Sequence, residues 1–368
     1  MKKSLSLIAV AAMSLTACTQ SDVIEESVQS SNAIGFNTMV NKGSRAIESN
    51  TFKQFNVYGN YYYGSTSAAP VEVFTGTSVT RENTADGTPW TYTGKRYWIK
   101  DANYYFSAYA IDGGTIEKGT PVYTKDDSGK YTFSISDFIC DHTQQKDLVY
   151  AAAGSFDSPI KGKDTQNDVV PFAFKHVLSR LDFVFKTNFP KDFKVTISKV
   201  TVQDVRNKAT FTGKQYAVGA AVTADAVGAW SEPTRDPVSP YISVPFEEGA
   251  NMTIDNTVTD GLRSGFVYVI PFHYLTMAEG GKGVAIQFNI LVKDPSDNEV
   301  INKQIAGRWR PMWDMNKTYT YTININGEAS GLEEIQFSGS VGDWETGTPA
   351  NPSFDLGAGE LPSIEPQA

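Results

Sequence analysis

The chain has 368 residues, 40 % of them hydrophobic, with 21 Phe, 18 Tyr and 6 Trp, which is enough apolar material for two cores rather than one. A formal net charge of −9 excludes the basic face that binding nucleic acid requires. It also excludes electrostatic docking on anionic lipid, so any membrane attachment has to be covalent and greasy.

The chain opens with Lys2 and Lys3, an apolar run from Leu5 to Leu15, and then Leu15-Thr16-Ala17-Cys18. A positive start, a short apolar stretch and small residues before a thiol make a secretory signal over residues 1–17. The run is too short to span a ~30 Å hydrocarbon layer as a helix. The tetrapeptide resembles the lipobox of bacterial lipoproteins, which implies acylation of Cys18 and removal of the leader before it. Residues 18–31 are polar and acidic and read as a tether. With Cys18 lipidated, Cys140 is the only other cysteine, so no disulfide forms within the chain. Cys140 is expected to be a small buried apolar residue.

Beyond the tether the dominant period is two. Short runs at Phe55–Tyr61, Tyr104–Ile111, Tyr131–Ile135, Leu148–Ala151, Lys194–Val202 and Phe266–Ile270 read as strands. Val284, Ile286, Phe288, Ile290 and Val292 alternate strictly with their neighbours, as do Tyr319, Tyr321, Ile323 and Ile325. Such strands present one face to a core. Asp112-Gly113-Gly114, Asp126-Asp127-Ser128-Gly129, Asp294-Pro295-Ser296-Asp297-Asn298 and Asn326-Gly327 supply the turns between them. The pattern predicts an all-β protein of two β-sandwich domains with Greek-key-like connections. The Ala-rich stretch Tyr216–Trp230 is the single helical candidate, and its glycines make a loop an equal reading.

Phe172, Phe174, His176 and Leu178 share one parity, whereas Leu181, Phe183 and Phe185 lie on the other. A bulge or bend is therefore expected near Ser179-Arg180, with a domain junction close by. The expected organisation is an N-terminal sandwich over 32–172, a C-terminal sandwich over 173–345 and a Pro-rich tail over 346–368. Within that tail Phe354, Leu356 and Ala358 alternate, so a short strand or a frayed end are both open.

Chemistry-bearing motifs are sparse. His142, His176 and His273 are the only histidines, and no His-Glu-x-x-His, Gly-x-Ser-x-Gly or Gly-x-x-x-x-Gly-Lys run occurs. No carboxylate spacing singles out an acid–base pair, so the expectation is a non-enzyme without cofactor or metal. Asp294, Asp297 and Glu299 lack the kinked twelve-residue loop of a specific calcium site and read as a hydrated hairpin tip. Tyr61-Tyr62-Tyr63, Trp90 with Tyr92, Tyr97 with Trp98, and Trp309 with Trp313 are aromatic sets of the kind that stack on sugars or fill cores.

Several segments together resemble the fimbrillin family, the Mfa1/FimA-like proteins that build or anchor fimbriae. They are Leu15–Cys18, the early strand Ala33-Ile34-Gly35-Phe36-Asn37, Arg45-Ala46 and Phe174–Phe183. Trp313 with Lys317–Ile323, and Val341-Gly342-Asp343-Trp344, complete the set. The resemblance implies two β-sandwiches of transthyretin-like topology, export to the outer membrane as a lipoprotein, and a place at the cell surface or in a fimbrium. It further implies Arg-specific cleavage after Arg45, leaving Ala46 as the new amino terminus and freeing the strand around Ile34 and Phe36. A strand from another subunit, the same or a paralogue, then fills the opened groove, and the tail around Phe354 and Leu356 is a candidate donor. The competing expectation is a surface glycan-binding lipoprotein of a nutrient-uptake system, which requires exposed, coplanar Trp or Tyr rings.

Overall fold

A computed structural model describes residues 33–40, 52–64, 70–85, 88–162, 169–220, 224–238, 241–246, 251–254, 261–274, 283–328, 331–343 and 349–350. The first strands are β1 (Gly35–Val40), β2 (Gln54–Tyr62), β3 (Val71–Thr80), β4 (Asn103–Ile111), β5 (Thr120–Lys125) and β6 (Tyr131–Ile139). There follow β7 (Leu148–Ala153), β8 (Ile160–Lys161), β9 (Val169–His176), β10 (Ser179–Thr187), β11 (Lys194–Gln203) and β12 (Lys208–Gly213). A four-residue helical turn, α1 (Ala224–Val227), precedes β13 (Gly228–Trp230), β14 (Tyr241–Ser243), β15 (Asn251–Ile254), β16 (Leu262–Arg263) and β17 (Val267–Val269). Last come β18 (Val284–Lys293), β19 (Glu299–Trp309), β20 (Lys317–Glu328), β21 (Gly331–Asp343) and β22 (Pro349–Ala350). The all-β class expected from the period of two is what the chain adopts.

Four sheets organise these strands. A seven-stranded sheet runs β1-β9-β7-β4-β2-β3, with β8 also on β4, and a four-stranded sheet runs β13-β12-β6-β5. A six-stranded sheet, β16-β10-β20-β21-β22 with β17 also on β10, accompanies a five-stranded one, β14-β11-β18-β19 with β15 also on β11. Two pairings are parallel, β1 with β9 and β10 with β20. Each therefore joins strands far apart in sequence rather than hairpin neighbours.

The strict alternations become half-buried strands: Val284, Ile286, Phe288, Ile290 and Val292 of β18 meet Leu181, Phe183 and Phe185 of β10 and Tyr319, Ile323 and Ile325 of β20 in one core. β4 departs from that pattern and is buried at every position. Tyr104, Phe106 and Ala108 point into a core with Phe55, Phe74 and Phe172, whereas Tyr109 and Ile111 belong to a second core with Phe133, Tyr150 and Phe211. A strand packed on both faces loses the polar alternation, which is why Asn103-Tyr104-Tyr105-Phe106 carries no solvent face.

Of the bulge or bend expected at the parity reversal, the structure shows the bend. The chain leaves β9 at His176, bends at Leu178 and enters β10 in another sheet at Ser179. Val177 and Leu178 are fully buried beside Tyr268 and Ile270. The four-stranded sheet draws β5 and β6 from one side of this bend and β12 and β13 from the other.

Candidate functional site

β1 forms one edge of the seven-stranded sheet and pairs along its whole length with β9, from Gly35 opposite Val169 to Val40 opposite Phe174. Among the described residues β9 is its one strand neighbour. The segment entering it is deeply seated: Ile34 is 1 % and Phe36 5 % exposed. The Phe36 ring stacks on Phe172 at 5.9 Å and stands edge-on to Phe55 at 5.7 Å, Phe74 at 5.5 Å and Tyr92 at 5.6 Å. Burying such a ring is worth about 1.5–3 kcal/mol, and well-placed ring pairs add about 0.5–1.5 kcal/mol each. The aromatic floor exists because β2, β3 and β9 all turn phenylalanines to this face.

Among the described residues no second sheet covers that face; a strap of largely irregular chain, residues 81–85 and 88–102, packs Trp90, Tyr92, Trp98 and Ile99 against it. It is tied to the far edge strand by the Thr80–Thr91 bridge and by the Arg96 guanidinium, whose Nε donates to the Val73 carbonyl at 3.3 Å. Arg81 lies over the Trp90 ring at 4.7 Å and donates to the Phe52 carbonyl at 2.7 Å. At its other end the strap holds the segment before β1. Ala33 bridges Tyr97, and the Ile34 N–H donates to the Arg96 carbonyl at 2.8 Å. The Tyr92 hydroxyl donates to the Ile34 carbonyl at 2.8 Å and accepts from the Arg96 N–H at 3.2 Å. Burial pushes the Tyr92 phenol above its ordinary pKa. Ile34 and Phe36 thus sit in a slot with β9 on one flank and the strap on the other.

Of the other residues singled out in the sequence, Cys18, Arg45, Ala46, Phe354 and Leu356 lie outside the described residues. The aromatic sets are mostly consumed by cores. Trp98 is buried against Tyr104, and Trp309 and Trp313 both donate their indole N–H to the Tyr321 hydroxyl, at 3.2 and 2.8 Å. Tyr62 is buried and donates to the Phe156 carbonyl, while Tyr63 is 49 % and Tyr97 36 % exposed. Stacking on a sugar needs open ring faces, and the buried Trp309 and Trp313 present none.

The histidines are dispersed. The buried His176 Nδ1 lies 2.8 Å from Asp147 Oδ2, His273 Nε2 lies 2.7 Å from Asp314 Oδ1, and His142 stacks on Tyr241. Cys140 is fully buried, with its thiol directed at the Tyr268 carbonyl at 3.2 Å and its pKa driven up by burial. Asp294 caps its own turn by accepting from the Ser296 and Asn298 amides, and Asp297 pairs with Lys293 at 3.0 Å. These carboxylates are occupied by the hairpin tip itself. Sequence reasoning missed Tyr92 and Arg96 as partners of the first strand. Their spacing carries no period, and only the fold brings them beside Ile34.

A family model described as fimbrillin-like matches residues 43–344. No curated protein matches the chain. Among solved structures, a fimbrial protein from Bacteroides vulgatus is similar at 15 % identity and a TM-score of 0.56, covering 85 % of this chain and 99 % of that one. A candidate cell adhesion protein from Bacteroides uniformis has 19 % identity and a TM-score of 0.42, covering 85 % and 98 %. The family match spans most of the residues that build the four sheets, and on that ground the chain belongs to the fimbrillin-like family.

Proposed function

We propose that this protein is a structural or adhesive subunit of cell-surface fimbriae, exported to the outer membrane as a lipoprotein on acylated Cys18. It works without catalysis, through assembly with other subunits of its own or related kind. Assembly proceeds by β-strand exchange: cleavage between Arg45 and Ala46 frees β1, and an extended segment of a neighbour takes its slot. The tail around Phe354 and Leu356 is one candidate donor. The observation that carries this reading is the seating of Ile34 and Phe36. An edge strand with one strand neighbour encloses a phenylalanine among four rings. A strand added at a sheet edge gains ladder hydrogen bonds and places alternate side chains in pockets, and an emptied slot leaves a pairing edge open.

Incubation with an Arg-specific protease tests the reading. Mass spectrometry is expected to show a fragment ending at Arg45 and a product beginning at Ala46, and size-exclusion chromatography to show oligomers after cutting. A product cleanly cut at Arg45 that stays monomeric would overturn strand exchange. Mass spectrometry of the protein from membranes is expected to find acyl chains on Cys18.

A further inference from the structure

Tyr92 touches both seated positions of the first strand, Ile34 through its hydroxyl and Phe36 through its ring. Its hydroxyl stands between Ile34 and Arg96. Those two residues face each other, yet only one direct backbone bond joins them, from the Ile34 N–H to the Arg96 carbonyl. The hydroxyl supplies the missing return path, donating to the Ile34 carbonyl while accepting from the Arg96 N–H. Its ring meanwhile forms one wall of the Phe36 enclosure, at 5.6 Å, and packs on Phe74 at 5.3 Å. Between the two positions the slot is narrow, since a Cβ on Gly35 would stand 3.0 Å from Val169 Cγ1.

We propose that the strap residues 91–97, acting through Tyr92, select the occupant of the β1 slot: an extended peptide, parallel to β9, with a branched aliphatic residue two places before a phenylalanine. The inference rests on the reading of that slot as the site of strand exchange and specifies the partner it takes. The aliphatic position must also carry a backbone N–H, because the Arg96 carbonyl accepts one there. The chain's own tail does not meet this rule. Pro352 stands two places before Phe354 and has no N–H to give, and Leu356-Gly357-Ala358 offers a methyl where the ring belongs. The preferred donor is therefore a segment other than this tail.

Hydrogen exchange read by mass spectrometry on the full-length, uncut protein tests the rule, because local opening of the edge strand is measured there without any assembly step. Tyr92→Phe keeps the ring and removes only the hydroxyl. It is expected to speed exchange of the 33–38 amides about fivefold to tenfold and to leave β4 and β7 unchanged. The double variant Ile34→Leu/Phe36→Ala places the tail's triplet in the slot and is expected to speed the same amides by at least about a hundredfold. Unchanged exchange at 33–38 in Tyr92→Phe overturns the proposal, as does a grafted triplet held as tightly as the native one. Equal loss of protection across β4 and β7 also overturns it, by making Tyr92 an ordinary core residue. A cut protein that fails to polymerise would instead sink strand exchange and leave this measurement standing.

Discussion

Two indole donors share one phenol oxygen in the core built on β10, β18 and β20. Trp309 and Trp313 both point at Tyr321 Oη, and all three residues are buried. The sequence flagged the two tryptophans as an aromatic set and flagged Tyr321 as an inward strand position, without linking them. Alternation fixes which face a side chain takes, but not which polar tips meet inside. Tyr321→Phe changes almost no volume, so its effect isolates the hydroxyl. It leaves two buried N–H groups without their acceptor, and an orphaned buried donor costs about 1–3 kcal/mol. We expect a fall in the urea midpoint corresponding to about 2–4 kcal/mol in all, with an unchanged slope of the transition. A midpoint within error of wild type would mean that water or another group reaches both indoles.

At the scale of the strand, legibility follows how many faces are buried. β18 and β20, with one face on the core, were readable residue by residue from period two. β4 was readable only as a strand, since burial on both sides removes the polar positions that give a face its identity. β1 was expected only through the family resemblance of Ala33–Asn37, and its parallel partner β9 was not foreseen, because parallel pairing leaves no turn signature between the two. Within β2, Gly59 is where the chain passes under a ring: a Cβ there would lie 2.3 Å from Phe106 Cδ1. The β2–β3 register also slips on both sides of Tyr58-Gly59. Gly59→Val would drive a branched side chain into the Phe106 ring, and both strands are locked in the sheet. Overpacking of this kind costs about 1–3 kcal/mol. The expected outcome is a lower thermal midpoint, read by circular dichroism, with β2 and β4 amides losing hydrogen-exchange protection first.

At the scale of the molecule, the sequence predicts two sandwiches divided at 172/173 and a bulge or bend near Ser179-Arg180; the chain bends at Leu178. What composition and period had no means to reveal is that one sheet recruits strands from either side of that bend. β6 pairs with β12 through Ile135–Phe211 and Phe138–Ala209, and the resulting face packs Phe133 and Phe211 on Tyr150. A second tie lies alongside: the Gln145 side chain accepts from the Tyr268 N–H at 2.7 Å and donates to the Tyr268 carbonyl at 3.2 Å, as a neighbouring strand would. Chains of this length often unfold in separate steps, one per domain. Here, loss of the N-terminal strands would strip β12 of its ladder with β6 and expose Phe211, so the two halves are coupled through this sheet. We therefore expect one cooperative urea transition, with peptides from β4 and from β10 losing protection at the same midpoint. Phe211→Ala, at a fully buried site, should lower both midpoints together, by about 3–5 kcal/mol. Two resolved transitions, with only one moved by Phe211→Ala, would show that the shared sheet does not couple the halves.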